Sequence, residues 1–152
     1  MMKQGDHIPK AQVTDMDGQL LDLAGMAGPL VVYFYPKDDT SGCTREAQDF
    51  TAVAPDLAMA GVRVIGISPD SPASHAKFTA KHALAVELAS DPDHAAAEAF
   101  GVWGEKKLYG RTYMGVERAT FLFGADGQLV QAWRKVRVPG HVDAVLAAVR
   151  AL

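Results

Sequence analysis

Apolar runs and helical stripes alternate along this chain and predict its elements. Leu30-Val31-Val32-Tyr33-Phe34-Tyr35 is apolar at every position and rich in β-branched and aromatic residues. That is the pattern of a strand buried on both faces. Pro36 ends it, and residues 62–67 read as a second central strand. Upstream, residues 11–23 read as two short strands around Asp15-Met16-Asp17-Gly18, and residues 25–29 as a loop. Downstream, residues 37–42 read as a polar turn. Then Cys43, Ala47, Phe50, Ala54 and Leu57 fall close to helical spacing, with Pro55 predicting a kink. Residues 71–82 predict a helix opened by Ser71-Pro72, residues 84–88 a short strand, and residues 93–100 a helix. Residues 117–123 and 128–134 flank Gly124-Ala125-Asp126-Gly127, a hairpin signal, and residues 142–150 form a last amphipathic helix.

The predicted order is two strands, three strand–helix units, two strands and a helix. Strands alternating with helices imply right-handed parallel crossovers. The late hairpin adds antiparallel strands. The expectation is an α/β, thioredoxin-like fold: a mixed central sheet, helices on both faces and an N-terminal hairpin. At 152 residues the chain suits one domain and needs no disulfide or metal to bury a core.

Composition narrows the function classes. With 49% hydrophobic and 22% charged residues, disorder and collagen-like structure are excluded. A net charge of −3 supplies no global basic field for nucleic acid or an anionic membrane. No apolar run approaches the roughly 18 residues of a membrane-spanning helix. The first seven residues lack the apolar core of a secretory signal, so a cytoplasmic protein is expected. One cysteine excludes an internal disulfide and a multi-cysteine zinc site, and suits a reducing compartment. His7, His75, His82, His94 and His141 complete no metal set by spacing and are expected as solvated surface residues, with no metal and no cofactor. Gly25-Met26-Ala27-Gly28 precedes a strand, whereas a phosphate loop follows one. Lys106, Lys107 and Arg111, with Arg134, Lys135 and Arg137, form basic patches that read as solvated surface or as a dock for an acidic reductant. Trp103 and Trp133 read as packing residues, Trp103 alternatively as part of a site entrance.

The candidate chemistry lies where the first buried strand turns into a helix. Cys43, the only cysteine, occupies that helix start. By position alone it is either a small buried hydrophobe or a nucleophile. The first helical amides have no internal partners and carry partial positive charge, which favours a thiolate. Thr40 is placed to cap the turn and to bring its hydroxyl near the sulfur. Pro36 fixes the strand exit and can shield the sulfur, and Gly42 allows close approach to the amides.

Pro36, Thr40 and Cys43 make Pro-x-x-x-Thr-x-x-Cys, which resembles the peroxiredoxin active-site motif. Val32-Tyr33-Phe34-Tyr35-Pro36-Lys37-Asp38 leads into it as in that family. Lys106-Lys107-Leu108-Tyr109-Gly110 and Gly115-Val116-Glu117-Arg118-Ala119-Thr120-Phe121-Leu122 resemble the bacterioferritin comigratory protein group, also called peroxiredoxin Q. The resemblance covers nearly the whole chain. It implies that Cys43 is the peroxidatic cysteine, Thr40 the hydroxyl that orients the peroxide, Arg118 the stabilising arginine and Pro36 the shield. Glu46, one turn after Cys43, is either the residue that orients Arg118 or a solvated carboxylate.

The chain departs from the group at the resolving cysteine. Its usual places correspond to Gln48 and Thr79 here. The resemblance therefore implies a one-Cys peroxiredoxin that reduces hydrogen peroxide and organic hydroperoxides. An external thiol, thioredoxin or glutaredoxin with glutathione, would resolve its sulfenic acid. A monomer or weak homodimer is implied. The alternative is a thioredoxin-fold redox sensor or holdase without efficient turnover.

Overall fold

The structure, a computed structural model, describes residues 2–26 and 28–152. Met1, and Ala27 of the predicted 25–29 loop, lie outside the described residues. A hairpin of β1 (Gln12–Thr14) and β2 (Leu20–Asp22) comes first. The buried run then forms β3 (Leu30–Phe34), followed by α1 (Ser41–Ala52) and α2 (Ala54–Met59). Next come β4 (Arg63–Ser68), α3 (Pro72–His82), β5 (Glu87–Ser90) and α4 (Ala95–Ala99). The last part holds β6 (Trp103–Leu108), β7 (Arg111–Val116), β8 (Ala119–Phe123), β9 (Leu129–Trp133) and α5 (His141–Arg150). Seven strands form one mixed sheet in the order β2-β1-β5-β4-β3-β8-β9, while β6 and β7 pair only with each other. No helix among the described residues is long and apolar enough to cross a membrane.

The all-apolar β3 is central because both its faces are covered. Val31 and Tyr33, with Tyr35 just beyond, join a cluster with Cys43, Ala47 and Phe50 of α1, Leu57 of α2, Phe78 of α3 and Val145 and Val149 of α5. Leu30, Val32 and Phe34 join the opposite cluster, which holds Ile65, Ile67, Phe121, Phe123 and the α4 residues Ala96 and Ala97. Tyr33 stacks on Phe50 at 4.6 Å on the first side, and Phe34 meets Phe100 at 4.9 Å on the second. The period of two along β3 thus divides one strand between two cores. Helices cover both faces, as the sequence pattern predicts.

Four local expectations shift. Pro55 does not kink one helix but divides it: Val53 leaves helical geometry at φ −102°, ψ 5°, and Pro55 falls in the first turn of α2. Proline is tolerated there because the first-turn amide has no partner. The 84–88 strand appears later, at Glu87–Ser90, because α3 ends on Ala83 in a left-handed conformation and ladder pairing with β4 begins at Glu87. The 93–100 helix shortens to Ala95–Ala99, where the Asp91 carboxylate accepts from the Ala96 and Ala97 amides. The β6–β7 hairpin has no counterpart in the apolar pattern: its strands are largely exposed and carry no apolar alternation. Its signal is Tyr109-Gly110, both at positive φ (52° and 76°), the geometry of a two-residue hairpin turn.

Two histidines expected at the surface are buried. His75 is fully covered: its Nε2 meets the Ala89 carbonyl at 3.0 Å and its Nδ1 the Asp38 carboxylate at 2.7 Å. The Tyr35 hydroxyl and the Ser74 hydroxyl also donate to Asp38, at 2.6 and 2.8 Å. Burial pushes the Asp38 carboxyl up, but the bonds from His75, Tyr35 and Ser74 outweigh it and hold it below the ordinary range. This network fastens the loop after β3 to α3. His141, at the start of α5, is the second and belongs with the candidate site.

Gly66 shows how tightly the α1 side is packed. It lies beside Tyr33 in the β3–β4 ladder, and a Cβ there would sit 2.5 Å from the Tyr33 ring. Gly66→Ala is expected to destabilise the fold by about 1–3 kcal/mol through overpacking. A lower urea midpoint at unchanged m-value would show this, and an unchanged midpoint would contradict it.

Candidate active site

Sheet register delivers the site. β3 and β8 run antiparallel with Phe34 opposite Ala119. The residue before Ala119 is Arg118, so its backbone arrives beside the exit of β3, where the chain turns through Pro36 into α1. Val136 N–H donates to the Arg118 carbonyl at 2.9 Å and fixes that backbone. On α1, Cys43 and Glu46 are three residues apart and share a face. The Arg118 guanidinium spans both: Nη1 donates to Glu46 Oε1 at 2.7 Å and Nη2 to Cys43 Sγ at 3.3 Å.

The groups are largely shut off from water. Cys43 is 1% exposed, Glu46 fully buried and the Arg118 side chain 17% exposed. Burial raises the Glu46 carboxyl to about 7, against the opposing pull of Arg118. Burial would lower Arg118, but Glu46 and Cys43 outweigh it and raise it further, so the guanidinium is a fixed positive charge. Below Glu46, His141 Nε2 bonds Thr120 Oγ1 at 2.8 Å and lies 3.9 Å from Glu46 Oε2. Burial, and secondarily repulsion from Arg118, lower His141 to about 4. The imidazole is therefore neutral at pH 7, and its approach to Glu46 is not an ion pair there.

Each residue predicted from sequence has a definite place. Thr40 is the N-cap of α1, and its carbonyl accepts from Thr44 N at 2.8 Å. Its hydroxyl does not cap the helix as expected. It turns back and donates to the Lys37 carbonyl at 2.9 Å, closing the turn between Lys37 and Thr40. At Gly42 a Cβ would stand 3.2 Å from Arg118 Nη2, so glycine gives the guanidinium its path to the sulfur. Pro36 is half-buried at the strand exit. Glu46, for which a solvated carboxylate was the alternative, is the buried partner of Arg118.

The basic-patch and tryptophan residues also find partners. Arg134, read as part of a basic patch, forms a bidentate pair with Glu117 at 2.6 and 2.9 Å. Lys106 Nζ donates to the Val116 carbonyl at 2.8 Å. Its pKa is lowered, first by burial and then by Arg118. Trp103 stacks face to face on His94 at 3.7 Å and packs against the core on the far side of the sheet from Cys43. A groove of about 760 Å³ lined by Lys10, Gln12, Asp22 and Asp93 lies at the β1–β2 end and contains none of the Cys43 group.

Comparison with known proteins decides the family. The AhpC/TSA family model matches residues 4–132. The chain belongs to the AhpC/TSA family. Peroxiredoxin Bcp of Xanthomonas campestris is 54% identical over 122 residues, 80% of this chain and 76% of that one. Peroxiredoxin Bcp of Bacillus subtilis is 43% identical over 147 residues, 97% of this chain and 88% of that one. The solved structure of Xanthomonas campestris bacterioferritin comigratory protein, studied for its alkyl peroxide reduction, superimposes with a TM-score of 0.89 at 45% identity. It covers 99% of this chain and 97% of that one. The present peroxiredoxin thus has the thioredoxin-like fold of the Bcp and peroxiredoxin Q proteins and is a thiol peroxidase of that group.

Glu46 gives this peroxiredoxin a measurable pH signature. Its folded pKa of about 7 lies above the ordinary value of 4.5, so its stabilising contribution is present below pH 4.5 and lost as pH rises through 7. His141 acts in the opposite sense: its contribution is present above pH 6.5 and lost as pH falls toward 4. The difference between wild type and Glu46→Gln isolates the first. Unfolding free energies in urea are expected to show wild type losing about 3 kcal/mol relative to the variant between pH 4.5 and 8. A difference that stays flat across that range would contradict the burial of an ionisable Glu46.

Proposed function

We propose that Cys43 is the peroxidatic nucleophile for hydrogen peroxide and organic hydroperoxides. The observation that carries this is the Arg118 guanidinium, donating at once to Cys43 Sγ and to Glu46 Oε1. The positive charge favours the thiolate. The thiolate attacks one peroxide oxygen; a sulfur–oxygen bond forms as the oxygen–oxygen bond breaks. The departing oxygen takes a proton and leaves as water or alcohol, and Cys43 becomes a sulfenic acid, oxidised by two electrons.

The surrounding residues fit defined roles in this step. The amides of Ser41, Gly42 and Cys43 precede the first helical hydrogen bond, made by Thr44, and with Arg118 they meet the charge developing on the peroxide oxygens. Because the Thr40 hydroxyl proton is committed to Lys37, its oxygen meets the peroxide as an acceptor and orients the peroxide O–H. Pro36 limits water at the sulfur. Glu46 acts through Arg118 and is a positioning residue.

The chain has a single thiol, so recycling needs a partner. We assign that role to thioredoxin, or to glutaredoxin with glutathione, in the cytoplasm, with the protein as a monomer or weak homodimer. The first thiolate attacks the Cys43 sulfur and displaces hydroxide, which leaves as water; a second thiol then releases Cys43 from the mixed disulfide.

Two readouts test this together. Peroxide consumption is measured with thioredoxin, with glutaredoxin plus glutathione, and with dithiothreitol, for wild type and Cys43→Ser. Intact-mass spectra follow graded peroxide without reductant. Wild type is expected to turn over many times with a thiol while Cys43→Ser does not, and its mass to rise by successive single oxygens on Cys43. Oxidation that occurs once and stalls with every thiol would identify a sensor instead. A reducible covalent dimer as the main product would place resolution between subunits.

A further inference from the structure

The sulfenic acid of Cys43 has to meet a thiol from outside, and one surface next to it is unlike the rest of the molecule. The β6–β7 hairpin stands apart from the main sheet. With six-residue strands it reaches about 20 Å. Its base joins the site: Val116 is two residues before Arg118, and Lys106 from the opposite strand donates to the Val116 carbonyl. Along its length it exposes Leu108, Tyr109, Tyr113 and Met114, at 54, 96, 45 and 51%. Tyr109, at the tip, holds φ of +52°, a left-handed conformation costly for a bulky side chain. An aromatic ring held wholly in water on a strained turn is the arrangement expected of an interface anchor, and tyrosine is enriched at such positions.

Charge singles out the same surface. The hairpin carries Lys106, Lys107 and Arg111 against the single carboxylate of Glu105, on a chain whose net charge is −3. Arg111 is exposed and makes no ion pair among the described residues; by the ladder register it shares a face with Lys106, Leu108 and Tyr113, whereas Lys107 lies on the opposite face. A symmetric contact with a second copy would set these cations against their own equivalents, since a two-fold interface presents the same patch to itself. A partner of opposite charge avoids that repulsion.

We propose that the face of the β6–β7 hairpin that carries Lys106, Leu108, Arg111 and Tyr113 is the docking surface for a protein dithiol reductant with an apolar face around its cysteines and a carboxylate rim. Tyr109 at the tip is the apolar anchor. Arg111 attracts and orients the rim. Docking there brings the partner's thiolate to the Cys43 sulfur through the side bordered by Arg118. The attack forms the mixed disulfide and releases water, the partner's second thiol displaces Cys43, and the partner leaves as a disulfide. This inference rests on the reading of Cys43 as the peroxidatic thiol.

The test compares wild type with Tyr109→Gly, which also relieves the turn, and with Arg111→Glu. Stopped-flow rates are measured for three reactions: oxidation by hydrogen peroxide, reduction of the sulfenic acid by dithiothreitol, and its reduction by thioredoxin and by glutaredoxin at low and high salt. The first two rates are expected to match wild type in every variant. The protein reductant that cycles wild type is expected to slow about tenfold with either variant, and charge reversal is expected to weaken its salt dependence. Unchanged protein-reductant rates would overturn the proposal. So would a wild type reduced no faster by either protein than by dithiothreitol, or variants that alter only self-association or binding to anionic vesicles. Failure of the peroxide step in wild type would instead defeat the peroxidatic reading of Cys43.

Discussion

One guanidinium, held between a buried carboxylate and a sulfur one helical turn apart, is the constraint on which the site depends. Arg118 reaches Cys43 because Glu46 holds its other nitrogen, and both partners sit on the same face of α1. Desolvating three such groups is costly unless each is paired. The fold meets that cost through position. The β3–β8 register brings Arg118 to the strand exit, Val136 fixes its backbone, and Gly42 leaves a gap the guanidinium fills.

The supporting parts of the fold serve the same geometry. Tyr33 and Phe50 stack beneath α1 and set its distance from β3. The Asp38–His75 network, with Tyr35 and Ser74, fastens the loop between Pro36 and Thr40 to α3. At the other end of the site, Thr120 and neutral His141 close the space behind Glu46. Burial there holds the Glu46 carboxyl up at about 7, against the opposing pull of Arg118.

Much of this was legible in the sequence, for physical reasons. Residues 30–35 announced a doubly buried strand because every position is apolar. Cys43, Thr40 and Pro36 stand out because their spacing resembles the peroxiredoxin motif; position at a helix start alone leaves Cys43 open between a small buried hydrophobe and a nucleophile. Arg118 became visible only through family resemblance, since no periodicity ties residue 118 to residue 43. The surroundings of the site were the least legible. His75 and His141 looked like surface residues because sequence does not show that Asp38 and Thr120 are waiting for them across the fold. The Thr40 hydroxyl was expected on the helix, but the Lys37 carbonyl, closed into the same tight turn, was the nearer acceptor. The β6–β7 hairpin escaped because both its strands are largely exposed and carry no apolar alternation.

The central claim is that Glu46 works on the peroxide step only by holding Arg118 against Cys43. A double-mutant cycle on the second-order rate of Cys43 oxidation by hydrogen peroxide tests it most directly, using Glu46→Gln, Arg118→Ala and the double variant. Loss of the guanidinium is expected to slow oxidation on the order of a hundredfold, with Glu46→Gln costing less. The double variant is then predicted to be no slower than Arg118→Ala alone. Two losses that multiply would mean that Glu46 acts on the sulfur or the peroxide independently of Arg118, and would contradict the account.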